Sequence, residues 1–308
     1  MLVAVIDIGT NSTRLLVGDV REDGIVVELA RHTQVTRLGE GVDGTGALSD
    51  AAIGRVLATL DDYALVIDPL AVDARIAVLT SAARDATNGG ALLETVRNRY
   101  GLEASVLSGD QEAQLTFLGA MSDRDADDRT PTLVIDVGGG STELIVGHGR
   151  EVGFHVSLQA GVVRQSERHL HSDPPSPTEL RKLGRDVRSL IERDVPPAVR
   201  REPQWAIAVA GTATSLAAID QALEPYDPER VHGYWIELTT ARLLLARLAS
   251  MPLEERRATR GLHPDRAATV LAGTVILIEV LEAFSLNGFE ASEHDILRGA
   301  ALRRAGVA

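Results

Sequence analysis

One segment of this chain occurs twice. Residues 5–19 read VIDIGTNSTRLLVGD, and residues 134–148 read VIDVGGGSTELIVGH, 129 positions later and without a gap. Nine of the fifteen positions are identical. Each copy is an apolar run that ends in an aspartate, followed by a turn of small residues and a second apolar run. This pattern predicts a β-hairpin with a polar tip. Two such hairpins predict two related domains that face a shared cleft.

The residues of the two tips are suited to binding phosphate. Glycines let successive backbone N–H groups converge on an anion, and hydroxyl groups add further donors. An aspartate beside a phosphate would repel it, so Asp7 and Asp136 are interpreted as holders of Mg²⁺ or of its waters. The alternative is a pair of ordinary hairpins whose glycines only satisfy the turn. The candidate phosphate-binding residues of the tips are Asn11, Ser12, Thr13, Gly138, Gly139, Gly140, Ser141 and Thr142.

The two copies differ at one charged position, where Arg14 in the first corresponds to Glu143 in the second. A guanidinium can clamp phosphate with two hydrogen bonds, whereas a carboxylate suits a metal or a water. We therefore expect one wall of the cleft to hold phosphate and the other to carry the groups for hydrolysis. The alternative is that both side chains are solvated charges.

Composition restricts the partners. The formal net charge is −13, which argues against a general nucleic-acid or membrane binder. No apolar run reaches membrane-spanning length and no basic leader precedes the first apolar run, so we expect a cytoplasmic protein. The absence of cysteine excludes disulfides and thiol chemistry.

Apolar periodicity and turn signals predict an α/β order of elements. A helix that begins at Ser81 is expected to be interrupted at Gly89-Gly90. The start of a helix at Gly211-Thr212 is a third candidate anion site. The charged stretch 122–130 is the clearest linker and predicts domains at 1–124 and 125–308. Strands are predicted at 2–8, 13–20, 24–30, 75–80, 104–107, 132–137, 142–148, 151–158 and 205–210, and helices at 49–68, 81–88, 110–121, 239–250 and 264–285 and after Ser176 and Gly211.

Six segments spread over the chain resemble the exopolyphosphatase and guanosine pentaphosphate phosphatase family of the actin, Hsp70 and sugar-kinase superfamily. They are VIDIGTNSTRLLV at 5–17, TSAARDATN at 80–88, LSGDQEAQLTFLG at 107–119, VIDVGGGSTELIVG at 134–147, AVAGTATSLAA at 208–218 and ASEHDILRGAAL at 291–302. The resemblance implies an α/β fold of two ribonuclease-H-like (actin-like ATPase) domains with a cleft between them.

The resemblance also implies roles for individual residues. Glu112 matches the general base that activates water, and Arg84 matches a phosphate-binding arginine. Asp136 and Glu143 match the acids associated with a divalent metal, and Ser141 matches a phosphate-contacting hydroxyl. Family members vary at the position of Arg14, so its role is inferred from its charge alone.

Two departures from the family pattern concern acids. Gln111 stands where many members have the first of two acids, and the C-terminal Leu-Arg-Glu-Gly pattern appears as Leu297-Arg298-Gly299, with Asp295 as the nearest acid. The chain also resembles the short form of the family, without an additional helical domain, which predicts a preference for short polymers.

The resulting hypothesis is a Mg²⁺-dependent phosphoanhydride hydrolase that releases terminal phosphate from inorganic polyphosphate. Hydrolysis of pppGpp at its 5′ phosphate is an alternative, because both substrates present the same terminal phosphoanhydride. A non-hydrolysing nucleotide or polyphosphate sensor is an alternative of another class. Nucleic acid and membranes are not expected as partners, and a homodimer stays open.

Overall fold

The computed structural model describes residues 1–307. Within it the chain divides into two compact units. The first unit combines Met1–Asp123 with the segment that begins at Asp295, and the second is Arg124–His294. No helix among the described residues is long and apolar enough to cross a bilayer.

Nine strands overlap the predicted ones, whereas those at Tyr234–Glu237 and Gly288–Ala291 were not predicted. The first hairpin and the second have the expected polar tips at residues 9–11 and 138–141. In chain order the strands are β1 Leu2–Ile8, β2 Ser12–Val20, β3 Val26–Val35, β4 Ala74–Leu79, β5 Glu103–Val106, β6 Thr132–Val137, β7 Thr142–His148, β8 Glu151–Leu158, β9 Trp205–Val209, β10 Tyr234–Glu237 and β11 Gly288–Ala291.

The helices differ from the prediction in several places, and those at Val42–Thr45, Pro228–Val231, Leu253–Arg257 and Ile296–Ala305 were not predicted. Gly89 starts a new helix instead of interrupting one, and Pro264 lies in a separate 3₁₀ turn, Pro264–Arg266. The helices are α1 Val42–Thr45, α2 Asp50–Ile67, α3 Ser81–Asp85, α4 Gly89–Tyr100, α5 Gly109–Ala120, α6 Val162–His169, α7 Pro177–Asp194, α8 Ala210–Asp220, α9 Pro228–Val231, α10 Leu238–Ala249, α11 Leu253–Arg257, α12 Val270–Ala283 and α13 Ile296–Ala305.

The first unit contains a five-stranded sheet in the order β3-β2-β1-β4-β5, covered by helices on both faces. Alternate residues of β1 therefore enter two different cores. Ala4, Ile6 and Ile8 pack with α2, while Val3 and Val5 pack with α5 and α13. Since side chains alternate along a strand, Asp7 lies on the face that α5 and α13 cover.

The closing helix α13 belongs to the first unit, so the prediction that residues 125–308 form one domain is wrong for its last segment. Two glycines let α13 approach α5 closely. A Cβ on Gly119 would lie 1.9 Å from the carbonyl oxygen of Asp295, and one on Gly299 would lie 1.8 Å from that of Leu115. The sequence shows neither contact, because α5 and α13 are far apart along the chain.

The second unit contains a six-stranded sheet in the order β10-β11-β9-β6-β7-β8. Leu133, Ile135 and Val137 of β6 pack into a core formed with α7, α8 and α12. By the same alternation, Asp136 lies on the opposite face of the sheet from that core.

The internal repeat is also present in the geometry of the two units. Gly9 N–H donates to Ser12 O at 3.0 Å, and Gly138 N–H donates to Ser141 O at 3.0 Å. The β2–β3 register shifts at Gly18, and the β7–β8 register shifts at Gly147, which is its counterpart in the repeat. The two units therefore share one local architecture down to a β-bulge.

Candidate active site

The tip of the first hairpin is fixed through its carbonyl groups. Thr10 O accepts from Gly39 N–H at 2.9 Å, and Asn11 O accepts from the N–H groups of Thr36 and Arg37 at 3.0 and 2.9 Å. The N–H groups of Thr10 and Asn11 make no hydrogen bond within residues 1–307. The loop thus has a fixed shape and unused donors, as an anion-binding loop requires.

The tip of the second hairpin repeats this arrangement with another partner. The carbonyl oxygens of Gly138, Gly139 and Gly140 accept from N–H groups at the start of α6, at 2.9–3.1 Å for the shortest bond to each. Gly161 must be glycine here, because a Cβ would lie 2.2 Å from Gly139 O. In the described chain, the N–H groups of Gly139 and Gly140 also make no hydrogen bond.

Arg14 lies between two carboxylates of the first unit. Asp7 and Arg14 are directly opposite in the β1–β2 pair, and Arg14 Nε and Nη2 donate to Asp7 Oδ2 at 3.0 and 2.6 Å. Arg14 Nη1 donates to Asp295 Oδ2. Burial raises the pKa of Asp7, Arg14 opposes this, and the charge of Asp295 adds to it. The predicted phosphate clamp is therefore an arginine that already holds two acids.

Arg84 and Glu112 form another ion pair of the first unit. Glu112 lies in the first turn of α5. A capping box stabilises this turn, because the side chains of Ser108 and Gln111 each accept a hydrogen bond from the backbone N–H group of the other. Arg84 Nη1 donates to Glu112 Oε2 at 2.8 Å and to Leu107 O at 3.1 Å. Burial raises the pKa of the Glu112 carboxyl, Arg84 works against this shift, and the charge of Asp7 adds to it.

Asp136 and Glu143 lie directly opposite each other in the β6–β7 pair. Side chains at such positions share a face, with Cβ atoms about 4.5–5.5 Å apart. Both residues are buried, and Glu143 Oε1 accepts from Ser157 Oγ at 2.8 Å. The two side chains therefore place carboxylate oxygens on one face of the sheet, and such oxygens are the donors that a divalent cation prefers.

The helix start at Gly211-Thr212 has a close neighbour that the sequence did not reveal. Arg266 Nη1 donates to Gly211 O at 2.7 Å, and a Cβ on Gly211 would lie 2.2 Å from that nitrogen. Thr212 is buried and packs closely on Gly273. The contacts explain why small residues occupy 211 and 273, and the phosphate-binding role of Gly211 and Thr212 stays a prediction.

The predicted site residues thus form pairs within each unit. In the first unit these are Arg14 with Asp7 and Arg84 with Glu112. In the second, Asp136 faces Glu143, while Ser141 and Thr142 are buried beside them. The register of a predicted meander could have revealed Ser157, which is opposite Glu143. The prediction that both tips face one cleft stays a prediction.

The sequence profile of the Ppx/GppA phosphatase family matches residues 16–303. This chain belongs to the Ppx/GppA phosphatase family. As a member, it is a phosphoanhydride hydrolase with the actin-like two-domain α/β fold. Among its relatives, exopolyphosphatase 2 of Mycobacterium tuberculosis is 36% identical over 321 residues, covering 99% of this chain and 98% of the relative.

Solved structures of this family superpose over the whole chain. The Aquifex aeolicus member of the Ppx/GppA family is 30% identical with a TM-score of 0.84, covering 99% of this chain and 97% of its own. An exopolyphosphatase from Cytophaga hutchinsonii is 27% identical with a TM-score of 0.90, covering 100% and 99%.

Proposed function

We propose that this Ppx/GppA protein is a divalent-cation-dependent exopolyphosphatase that releases terminal orthophosphate from inorganic polyphosphate. The observation that carries the proposal is the ion pair of the half-buried Arg84 with the buried Glu112, which joins a candidate phosphate ligand to a candidate base. The relatives named exopolyphosphatase, which match almost end to end, support polyphosphate as the substrate.

Glu112 is suited to activate water. The Arg84 guanidinium holds Oε2, so the direction of the carboxylate is fixed while Oε1 stays available to a water. In the proposed step the water oxygen attacks the terminal phosphorus, its proton passes to Glu112, and the bridging P–O bond breaks. The shortened polymer leaves with the bonding electrons. A pKa raised by burial brings the carboxyl nearer to neutral pH, where a base is most effective.

The polymer charge would be matched locally. The unused N–H groups of Thr10, Asn11, Gly139 and Gly140 offer donors to phosphate oxygens, as Arg84 does. Preorganised donors of this kind stabilise charge that develops in the transition state. The Ser141 and Thr142 hydroxyls and the Gly211-Thr212 helix start are proposed as further contacts.

Asp136 and Glu143 are proposed to hold the divalent cation, with Mg²⁺ as the expected ion. Their opposed carboxylates provide the hard oxygen donors that such an ion prefers, and Ser157 fixes one oxygen of Glu143. When bound, a divalent cation neutralises phosphate oxygens in the transition state.

The test is phosphate release from polyphosphates of several lengths, from pppGpp and from ATP, each with and without Mg²⁺. Release from polyphosphate that needs Mg²⁺ is the expected result. Preferred release from pppGpp would replace the proposed substrate. Tight polyphosphate binding without any release would indicate a sensor and overturn the proposal.

A further inference from the structure

Asp295 connects the closing helix α13 to the first hairpin. Its Oδ1 accepts from Leu297 N–H at 3.0 Å and so caps α13, while its Oδ2 accepts from Arg14. The two oxygens thus have separate tasks. One stabilises the helix start, and the other fixes a guanidinium of the neighbouring sheet.

Arg14 in turn fixes Asp7 by one oxygen only. Arg14 Nε and Nη2 both donate to Oδ2 of Asp7, at 3.0 and 2.6 Å. The other oxygen, Oδ1, is buried and has no hydrogen-bond partner among residues 1–307. Asp7 itself is only 4% exposed. A buried carboxylate oxygen without a partner carries a large desolvation cost, which a cation or an ordered water would offset.

The two hairpins differ at the position of Arg14, which is Glu143 in the second. In the second hairpin, Asp136 and Glu143 face each other. In the first, Arg14 faces Asp7 and also forms an ion pair with Asp295. A guanidinium that is held by two buried carboxylates has a fixed place and is poorly suited to move onto a phosphate.

We propose that Asp295 is a positioning residue that acts through Arg14 to hold Asp7 with Oδ1 presented to a divalent cation or its water. The inference rests on the proposed cation-dependent function. It differs from the expectation that Arg14 binds phosphate directly, because a positioning residue affects cation binding and turnover and leaves polymer binding alone.

The central variant is Asp295→Asn. An asparagine keeps an oxygen that can cap α13 but loses the charge that holds Arg14, so it separates the two tasks of Asp295. Asp68→Asn is the matched control, because it also removes an aspartate that pairs with an arginine of the same unit, Arg75, at 2.6 Å on an exposed site. Thermal melting of both variants checks that the fold is intact.

The readouts are Mg²⁺ binding by calorimetry without substrate, and kcat and KM for polyphosphate. Loss of a group that orients a metal-binding residue lowers metal affinity or activity by about 10–100-fold. We expect such a fall in Mg²⁺ affinity and kcat for Asp295→Asn, an unchanged KM, and no effect of Asp68→Asn. In an Arg14→Met background, Asp295→Asn should add nothing, because the line of contacts is already broken.

Three results would overturn the proposal. One is a raised KM with Mg²⁺ affinity unchanged, which would place Arg14 on the substrate. Another is full additivity of the two substitutions. The third is wild-type protein that binds no Mg²⁺. Failure of the proposed substrate is a distinct result, since the calorimetry on wild type and Asp295→Asn does not involve polyphosphate.

Discussion

Single residues carry the proposed chemistry, and Glu112 is fixed in both its backbone and its side chain. Its backbone is set by the capped first turn of α5, and its carboxylate is set by Arg84. The sequence alone could place Glu112 at the start of a helix. It could not single out Glu112, because Asp110 and Gln111 suit a helix start equally well. The partner of Glu112, Arg84, comes from another helix, so the sequence could not show the pair.

Glu112→Gln should abolish most turnover while polyphosphate binding persists. The amide keeps the size of the side chain but cannot take a proton from water, and loss of a general base costs about 10²–10⁴-fold in rate. Phosphate release under saturating substrate measures the effect, and polymer binding measures the control property. Glu94→Gln, on the exposed surface of α4, serves as the matched variant. Turnover near the wild-type value would remove Glu112 from the mechanism.

Arg84→Met should shift the pH dependence of the reaction. Glu112 must be deprotonated to act as a base, so activity is lost as the pH falls through its pKa. Burial already raises this pKa and Arg84 counteracts the rise, so removing Arg84 should raise it further. The acidic limb of the kcat/KM profile then moves to higher pH, and Arg84→Lys should move it less. An unmoved limb in Arg84→Met would show that Glu112 is not the titrating base.

Asp136→Asn and Glu143→Gln should each lower activity and increase the Mg²⁺ concentration needed for half-maximal rate. Each change removes an anionic oxygen from the pair that faces across β6 and β7. Ser157→Ala should act in the same direction more weakly, since it only releases one oxygen of Glu143. A fall in activity with an unchanged Mg²⁺ midpoint would mean that these acids do not hold the metal.

Only part of the environment of Arg14 could be predicted from the sequence. Hairpin register places Arg14 opposite Asp7, so that half of its environment could have been predicted. The other half is Asp295, 281 positions away, on a helix that the sequence assigned to the other domain. Charge alone therefore suggested a phosphate ligand where the structure has an ion-paired arginine.

At the scale of elements, the packing of α5 on α13 keeps in place the helix that carries Glu112. The two helices meet through Gly119 and Gly299, whose missing side chains let backbone touch backbone. Nine of the strands and most of the longer helices were predictable from apolar periodicity and caps, since those signals are local. This contact was not, because a glycine in a helix gives no sign of the neighbour that requires it.

Gly299→Ala should destabilise the protein, although alanine is the better helix former by about 1 kcal/mol. The added methyl group would lie 1.8 Å from Leu115 O, and overpacking of this kind costs about 1–3 kcal/mol or more. Gly54→Ala in the interior of α2 is the matched control, because nothing lies within 4 Å of its added methyl group. We expect that control to be neutral or stabilising. Denaturant unfolding compares the two, and equal stabilities would contradict the packing argument.

At the scale of the whole molecule, the repeat predicted two related units, and both units share the same hairpin, turn and bulge. The repeat could not predict which unit the last helix joins, because α13 has no counterpart in the repeated segment. The helix α13 joins the first unit because it packs against α5, which is far from it in the sequence.

The net charge of −13 sets an expectation for long polymers. Each phosphate bound must be matched by an arginine, a loop N–H group or the cation, because the overall field of the protein repels a polyanion. Phosphates beyond the matched stretch gain nothing, so catalytic efficiency per chain end should reach a plateau at short lengths and long chains should be released between cleavages. Affinity should also weaken with added salt, since local attraction is screened over about 8–10 Å at physiological ionic strength.

The release of long chains between cleavages is tested by following product lengths from one long polyphosphate in excess. Intermediates of all lengths should appear together, whereas intact polymer beside only very short products would show processive degradation and contradict the argument.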